Sequence, residues 1–595
     1  MDLENYTIEE LQLKRKSIRR QLLKKPKLQG IRIAVLGGST TNEVVDLLEV
    51  LLLDSGFEPA FYQSEYQRFY EDAVLDPHTI AAFRPDLAYI HTTAVNIQTY
   101  PRLSSSEAEL STHVATEIDR FRCVWQSLQQ HVGCQIIQNN FELPFSAILG
   151  NLDAVSLGGH TRFINELNLE LARSTQKIPG VILQDIQSIS ARLGLNQWVD
   201  PDRWFSYKLA TTIEGSFAIA RSLASIIRAI YGKSRKCLVL DLDNTLWGGV
   251  IGDDGLDKIQ IGRETAVAEA YTAFQEYCLS LRERGILLAV CSKNNEEIAK
   301  QGFDHPDSVL KLEHFAAFKA NWEPKHENIL AIAKDLNLGT DSFVFVDDNP
   351  AERALVEAQI PGIAVPDIGP HVSQYASILD AARYFEPVSL AKEDLQRADL
   401  YRDNVQRAST LASFANYGEY LDSLEMTAEI EPFRPVYTER IVQLTNKTNQ
   451  FNLTTRRYTL AEMEAAIADG SHIGLYGKLS DRFGDNGLVS VVLGRVDGNS
   501  LHLDLWLMSC RVLKRDMELA MLDRVVAAAQ SAGVQTIYGY YLPTPKNGMV
   551  ADHYEKIGFV LRSRDMGSGV STWSLDVADY EARNRHINIL ELSHG

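Results

Sequence analysis

The sequence lacks the paired cysteines that form metal sites or disulfide frameworks. Its six cysteines lie singly, without a CxxC pair and without a cysteine–histidine spacing that suggests a zinc site, so we expect free thiols in a reducing compartment. It also lacks any apolar run of the roughly 18–20 residues that cross a bilayer, since acidic residues interrupt even VVDLLEVLLLD. We therefore predict neither a zinc site nor a membrane span.

Basic side chains are fewer than acidic ones. The chain has 59 basic and 78 acidic side chains and a formal charge of −19, which would repel a phosphate backbone, so nucleic acid is not an expected partner. No apolar signal segment opens the sequence; instead, Thr7 and Glu10 predict a capping box for a helix rich in Lys and Arg. These features indicate a cytoplasmic protein.

Length and pattern predict several domains. A chain of 595 residues exceeds the size of a single core, and strand and helix patterns alternate twice before a final α+β stretch. We see no internal repeat and no low-complexity tract. The predicted divisions are a basic helix (1–30), an α/β domain (31–232), an α/β domain with a doubly wound parallel sheet (236–385), a helical linker (386–424) and an α+β domain (425–580).

Polar side chains follow three predicted strands of the second α/β domain. They are Asp241 and Asp243 at the end of CLVLDLD, Ser292 at the end of ILLAVCS, and Asp347 and Asp348 at the end of SFVFVDD. Ligands of open α/β sheets bind beyond these carboxyl ends, and Lys325 lies in a loop between the last two strands.

This set of residues fits phosphoryl transfer. A carboxylate that attacks a phosphoryl group gathers negative charge, so a hard cation with oxygen ligands is needed, usually Mg²⁺, and the acidic cluster would hold it. Lys325 and Ser292 fit the neutralisation and orientation of phosphoryl oxygens. Asp243, two residues after Asp241, is placed to protonate the leaving group and later to activate water.

Four ordered motifs resemble the haloacid-dehalogenase (HAD) superfamily: DLDNT, the Ser of CSKNN, the Lys of EPK, and VDDNP. The resemblance implies a Rossmann-like HAD domain. Its implied roles are Asp241 as the nucleophile that forms an aspartyl-phosphate, Asp243 as general acid and base, and Asp347 or Asp348 as a metal ligand. We assign metal binding to Asp241, Asp243, Asp347 and Asp348, and substrate binding to Thr245, Asn294 and Arg511.

Five further sequence segments resemble the FkbH-like HAD family. They lie between Lys236 and Asp576 and read WGGVIGDDG, FVDDNPAER, NKTNQFNLTTRRY, DRFGDNG and WLMSCRV. Members of that family load a glyceryl unit from 1,3-bisphosphoglycerate onto an acyl carrier protein in polyketide and related pathways. The resemblance implies a phosphorylated three-carbon substrate and the phosphopantetheine thiol of a carrier protein as partner.

Such loading requires a second nucleophile, because the aspartate site performs only phosphoryl transfer. Cys510 is our candidate: it follows a strand, adjoins Arg511 and precedes a helix, and a nearby cation and a helix N-terminus both favour thiolate. The alternative for Cys510 is a buried turn cysteine. Cys291 is the second candidate, although strand alternation would turn it into the sheet, and Cys237 is predicted to be core. His553 could act as a base or be structural.

The last predicted domain resembles the acetyltransferase-like GNAT fold. Acetyl-CoA use is not predicted, because CRVLKRDMELA has no glycine where a pyrophosphate would approach the backbone. Lys514 and Arg515 would contact a phosphopantetheine phosphate or an acidic carrier protein, or form a solvated pair.

The first α/β domain resembles SGNH-type esterases weakly. Ser39 in VLGGSTTNE would be the nucleophile, and Asn139 or Asn140 would lie near an oxyanion site. No histidine occurs between His160 and His305, where the catalytic one is expected, so a non-catalytic docking or substrate-binding domain is favoured.

Two other functions compete with glyceryl loading. One is a HAD phosphatase that acts on a sugar or small-metabolite phosphate. The other is a non-catalytic docking scaffold of a biosynthetic assembly, against which the complete motif set argues.

Overall fold

The computed structural model describes residues 6–25, 28–411, 414, 416–544 and 546–590. The chain divides into two compact units, one of Met1–Arg228 with Tyr458–Ala465 and one of Ala229–Arg457 with Ala466–Gly595. The helices in the described part of the chain are too short or too polar to span a membrane.

The first unit contains a five-stranded parallel sheet with strand order β2-β1-β3-β4-β5. Its strands are β1 (Gln29–Gly37), β2 (Phe57–Gln63), β3 (Leu87–His91), β4 (Gln135–Asn139) and β5 (Val181–Gln184). The helices that begin between residues 1 and 228 are α1 (Ile8–Leu22), α2 (Asn42–Asp54), α3 (Pro77–Phe83), α4 (Glu107–His131), α5 (His160–Lys177), α6 (Ile186–Leu193), α7 (Leu195–Trp198), α8 (Pro201–Tyr207) and α9 (Ile213–Ile230). The predicted capping box of α1 is confirmed, since the Glu10 N–H donates to Thr7 Oγ1 at 3.2 Å and the Thr7 N–H donates to Glu10.

The second unit begins with a four-stranded parallel sheet of order β8-β7-β6-β9. Its strands are β6 (Cys237–Leu240), β7 (Leu287–Ser292), β8 (Phe315–Ala320) and β9 (Phe343–Val346). The accompanying helices are α10 (Ile251–Asp254), α11 (Ala266–Glu283), α12 (Glu296–Gln301), α13 (Lys325–Asp335), α14 (Pro350–Gln359) and α15 (Val372–Ala382). Alternate residues of the strands enter two separate apolar cores, one on each face, so the sheet is covered on both sides as a doubly wound sheet requires.

Three helices, α16 (Lys392–Leu395), α17 (Arg397–Leu411) and α18 (Tyr417–Ser423), lead to an eight-stranded mixed sheet of order β15-β16-β14-β13-β12-β11-β10-β17. Its strands are β10 (Met426–Pro432), β11 (His472–Asp481), β12 (Gly484–Asp497), β13 (Ser500–Met508), β14 (Thr536–Tyr541), β15 (Val560–Arg564), β16 (Ser571–Asp576) and β17 (Ile587–Ile589). The remaining helices are α19 (Pro435–Lys447), α20 (Leu460–Ala468), α21 (Met517–Ser531) and α22 (His553–Lys556).

This architecture confirms the predicted fold class, a multidomain α/β chain with parallel sheets followed by a mixed-sheet part. Helix α17 packs against β7 and β8 on one side and against β12 on the other. It therefore ties the four-stranded sheet to the eight-stranded sheet within the second unit.

Candidate active site

Three carboxylates meet at the carboxyl end of the four-stranded sheet. Asp241 directly follows β6, and Asp347 and Asp348 directly follow β9, which pairs with β6 in parallel so that Leu240 faces Val346. One oxygen from each carboxylate lies within 4.8 Å of the others. Asp347 is fully buried, and the buried Oδ1 atom of Asp241 has no hydrogen-bond partner.

Lys325 supplies positive charge to this group. It is the first residue of α13 and is buried, and its Nζ lies 2.9 Å from Asp241 Oδ2 and 2.5 Å from Asp347 Oδ2. Burial opposes the charge on Lys325, but the two carboxylates outweigh it and hold its pKa above the usual value. Burial and the charge of Asp241 nevertheless raise the pKa of Asp347, so one lysine does not balance the cluster.

The cluster fits a hard divalent cation. Three carboxylates face one lysine, their oxygens are the ligand type that Mg²⁺ prefers, and Asp241 Oδ1 is buried without a partner. The residues that would hold the ion are Asp241, Asp347 and Asp348.

Asp243 is also predicted to bind the metal, and its carboxylate makes other contacts. Its carboxylate lies outside the three-residue group of the described part of the chain. Oδ1 accepts from Trp247 Nε1 at 3.0 Å and from the Ile251 N–H at 3.1 Å, and Oδ2 accepts from Asn294 Nδ2 at 3.0 Å. Burial raises the pKa of Asp243. These contacts fix one orientation of the carboxyl beside Asp241, as an acid or base requires.

Two residues predicted to bind substrate, Thr245 and Asn294, contact carboxylates of the candidate site. Thr245 is fully buried, and its hydroxyl accepts from the Asp348 N–H at 3.2 Å and lies 3.4 Å from Asp348 Oδ1. Asn294 donates to Asp243. Both residues therefore position carboxylates. Ser292 is the buried last residue of β7, two positions beyond the Leu240 and Val290 pair, and so lies at the same sheet edge as the acidic cluster.

Comparisons with known proteins relate the chain to a family and to a solved structure. The family model described as FkbH, N-terminal domain, matches residues 32–228. A crystal structure of the N-terminal part of the protein BF1531 from Bacteroides fragilis, described as containing a phosphatase domain complexed with Mg, is 32% identical with a TM-score of 0.58. The alignment covers 63% of this chain and 99% of that one.

The chain belongs to the FkbH-like HAD family. Weaker matches include a putative GNAT-family acetyltransferase from Desulfovibrio desulfuricans (10% identity, 25% of this chain and 99% of that one) and the GNAT domain of S. lividans PAT (14%, 25% and 90%). Each has a TM-score of 0.21, too low to carry an argument about fold or activity. No curated protein matches the chain.

In this FkbH-like chain, Cys510 lies in the turn after β13 and lines a cavity of about 550 Å³. Its Sγ is 3.3 Å from the Tyr401 hydroxyl of α17, and the thiol is partly exposed. Asn404, one helical turn further along α17, donates to the Arg511 carbonyl at 3.3 Å. The sequence interpretation missed Tyr401; the helical spacing of Arg397, Tyr401 and Asn404 was the available signal.

The competing nucleophiles are buried. Cys291 packs in the apolar core on one face of the four-stranded sheet, donates to the Lys325 carbonyl at 3.5 Å, and has a pKa raised by burial. Cys237 lies in the same core, as predicted. His553 packs between Phe451 and Trp506, and burial lowers its pKa to about 3, so it is a neutral core histidine.

The two reactive regions lie at opposite ends of the four-stranded sheet. The Cys510 cavity is lined by Lys236, which precedes β6, and by Ser342, which precedes β9, whereas Asp241 follows β6. Five residues of extended chain from Lys236 to Asp241 span roughly 16 Å. The Cys510 cavity and the carboxylate cluster are therefore separate sites.

A chain segment fills the gap between β13 and β14. The two strands pair only from Ser500 to His502, and beyond that the Met508 N–H donates to the Phe451 carbonyl at 3.0 Å. The Leu453 N–H donates to the Trp506 carbonyl at 3.0 Å, and the Leu542 N–H donates to Leu453 at 2.9 Å. The segment NKTNQFNLTTRRY, one of those that resemble the FkbH-like family, thus hydrogen bonds to the end of β13 just before the turn that carries Cys510.

Arg515 is neither solvated nor available to a carrier. It is buried, and its Nη1 donates to Asp481 Oδ2 at 2.8 Å, while Asp481 also accepts from Arg407 at 2.6 Å. The predicted contact of Arg515 with phosphopantetheine is therefore wrong. Lys514 has positive φ (62°) and stays a candidate.

The residues of the proposed esterase block in the first unit are also buried. Ser39 is 3% exposed, and its Oγ has no hydrogen-bond partner. Asn139 bonds the Thr92 backbone through both side-chain atoms, and Asn140 donates to Asp185 at 2.8 Å and accepts from the Gln187 N–H. Since both amides are engaged in the protein, this geometry favours the non-catalytic interpretation.

Proposed function

We propose that this FkbH-like protein is a Mg²⁺-dependent enzyme that removes phosphate at Asp241 and transfers a glyceryl unit from 1,3-bisphosphoglycerate through a Cys510 thioester to an acyl carrier protein. The observation that carries the phosphatase half is the cluster of Asp241, Asp347 and Asp348, in which buried Lys325 forms ion pairs with Asp241 and Asp347. The similar Bacteroides fragilis structure contains a phosphatase domain complexed with Mg.

In the phosphatase half, an oxygen of Asp241 attacks phosphorus and the P–O bond to the leaving alcohol breaks. Asp243 donates the proton that the leaving oxygen needs, then takes one from the water that hydrolyses the aspartyl-phosphate. Lys325 holds Asp241 in place for attack. Mg²⁺, when bound, supplies positive charge that stabilises the transferring phosphoryl oxygens.

In the transfer half, Cys510 sulfur attacks the carbonyl carbon of the acyl phosphate and the C–O bond to phosphate breaks. Inorganic phosphate leaves with the thiol proton, and a thioester remains on Cys510. The carrier thiol then attacks the thioester carbon, and its proton passes to the departing Cys510 sulfur. Tyr401, 3.3 Å from Sγ, is placed to hydrogen bond with the sulfur.

The test is intact mass spectrometry of a panel of carrier proteins after incubation with 1,3-bisphosphoglycerate and Mg²⁺. Wild type should yield a glyceryl adduct on a carrier, whereas Cys510→Ala should yield no adduct. Any adduct formed by Asp241→Asn should still carry the phosphate. Cys123→Ala, which removes an exposed thiol, is the matched control. Full activity of Cys510→Ala would refute the thioester.

A second candidate is a plain HAD phosphatase for a sugar or small-metabolite phosphate. The separation of the Asp241 cluster from Cys510 favours it, because the cluster needs nothing from the cavity to act. Turnover of phosphomonoesters, with no acyl adduct on any carrier, would establish this candidate instead.

A further inference from the structure

The Cys510 cavity is strongly basic in an acidic protein. Nine basic and only three acidic residues line it, in a chain of net charge −19. Asp394, one of the three acids, already lies within ion-pair distance of Arg397, of Lys447 at 3.3 Å and of Arg440 at 4.0 Å. A single carboxylate cannot neutralise this group of cations, so the cavity is short of negative charge.

Arg511 carries an unused donor within this cavity. Its side chain is 9% exposed, its Nε donates to Ser509 Oγ at 3.2 Å, and its buried Nη1 has no hydrogen-bond partner. Burial and the charges of Arg397 and Arg440 lower the pKa of Arg511. A buried guanidinium nitrogen without a partner costs free energy unless an acceptor fills the cavity.

Lys236 adds a second basic group to the cavity near Cys510. The charge of Asp341 acts on it, but the structure shows no ion pair between Lys236 and a carboxylate of the described residues. Burial lowers the pKa of Lys236, and a neighbouring negative charge at Cys510 would raise it. Lys236 and Arg511 come from different elements, so a ligand between them would be held from two sides.

We propose that the Cys510 cavity is a second phosphate-binding site, in which Arg511 and Lys236 hold the phosphate of an acyl phosphate beside the thiol. That the bound phosphate belongs to an acyl-phosphate substrate rests on the proposed function, but the binding of phosphate itself does not. Guanidinium groups match the geometry of phosphate oxygens, and fixed cations would also stabilise the departing phosphate.

The experiment measures alkylation of Cys510 by neutral iodoacetamide in the full chain, read by peptide mass spectrometry, with inorganic phosphate added at constant ionic strength. Phosphate at about ten times its Kd should slow the reaction roughly tenfold in wild type. Exposed Cys123 in the same sample should be unaffected. Absence of protection in wild type would overturn the proposal.

Variants assign the contact. Arg511→Gln and, independently, Lys236→Gln should lose most of the protection. Arg495→Gln, which replaces an exposed arginine on β12 of the same sheet as β13, should keep it. Equal protection in all three would show a general salt effect and overturn the site. Much stronger protection by pantetheine 4′-phosphate than by inorganic phosphate would reassign the contact to the carrier arm, against the donor.

These outcomes are separable from those of the proposed function. Protection by phosphate without any carrier adduct would support the phosphate site and refute the glyceryl transfer. A carrier adduct without protection would support the transfer and refute the phosphate site.

Discussion

Replacement of Lys325 by Met should destabilise the carboxylate cluster in a pH-dependent way. Lys325 is buried and bridges Asp241 and Asp347 at 2.9 and 2.5 Å. Removing one partner of a buried ion pair costs about 3–5 kcal/mol, because the remaining charges stay desolvated. Phosphomonoester turnover should also fall, by about 10²-fold or more, since the charge on the transferring phosphoryl group is no longer balanced.

The sign of the pH dependence follows from Asp347. Burial and the Asp241 charge already raise its pKa to about 6, and loss of the lysine would raise it further. A carboxyl whose folded pKa exceeds its unfolded value binds more protons when folded, so stability falls as pH rises from about 4 through the folded pKa. The deficit of Lys325→Met should therefore be larger at pH 8 than at pH 5.

Hydrogen exchange resolved on peptides covering 237–247 and 343–349 measures the local opening free energy in the metal-free protein. The matched control is Lys319→Met, whose Nζ lies 3.0 Å from Asp335 in a half-exposed pair and should change stability by less than about 1 kcal/mol. Equal effects of the two substitutions, or a deficit unchanged between pH 5 and pH 8, would refute this reasoning.

Three further predictions concern other parts of the chain. Asn294→Ala should lower kcat by about 10²-fold with little change in KM, because Asp243 loses a positioning donor; steady-state kinetics that show only a raised KM would contradict this. Burial raises the pKa of Glu142 to about 7, so Glu142→Gln should stabilise its strand region by up to about 3 kcal/mol at pH 8 and little at pH 4, measured by hydrogen exchange. Asp481→Asn should cost about 3–5 kcal/mol in urea unfolding, because two buried guanidinium groups lose their shared carboxylate; a neutral result would show that water replaces it.

The carboxylate cluster could be predicted from the sequence because its residues come directly after the strands that place them. Apolar runs mark the strands of a parallel sheet, and residues directly after them share one edge, which placed Asp241, Asp347 and Asp348 together. Period-two alternation also turned Cys291 into the core, as found.

The rest depended on contacts between distant segments. Tyr401 and Cys510 are 109 residues apart, and their contact follows from how α17 packs between two sheets. Sequence alone gave no sign that Arg515 would be buried against Asp481, because a charged pair at a turn is usually solvated. The sequence segments that resemble the FkbH-like family also lie only in the second half of the chain. The resemblance was not seen in the first unit, where residues 32–228 match the FkbH N-terminal domain.

The placement of Cys510 and Asp241 at opposite ends of one sheet has a kinetic consequence. Both sites can be occupied at the same time, so saturation of one does not compete with binding at the other. Under the proposed function, an intermediate made at one end must travel through bulk solvent or on a tethered arm to reach the other. The relay is therefore open to interception, and its efficiency would depend on how much carrier is present rather than on either active site alone.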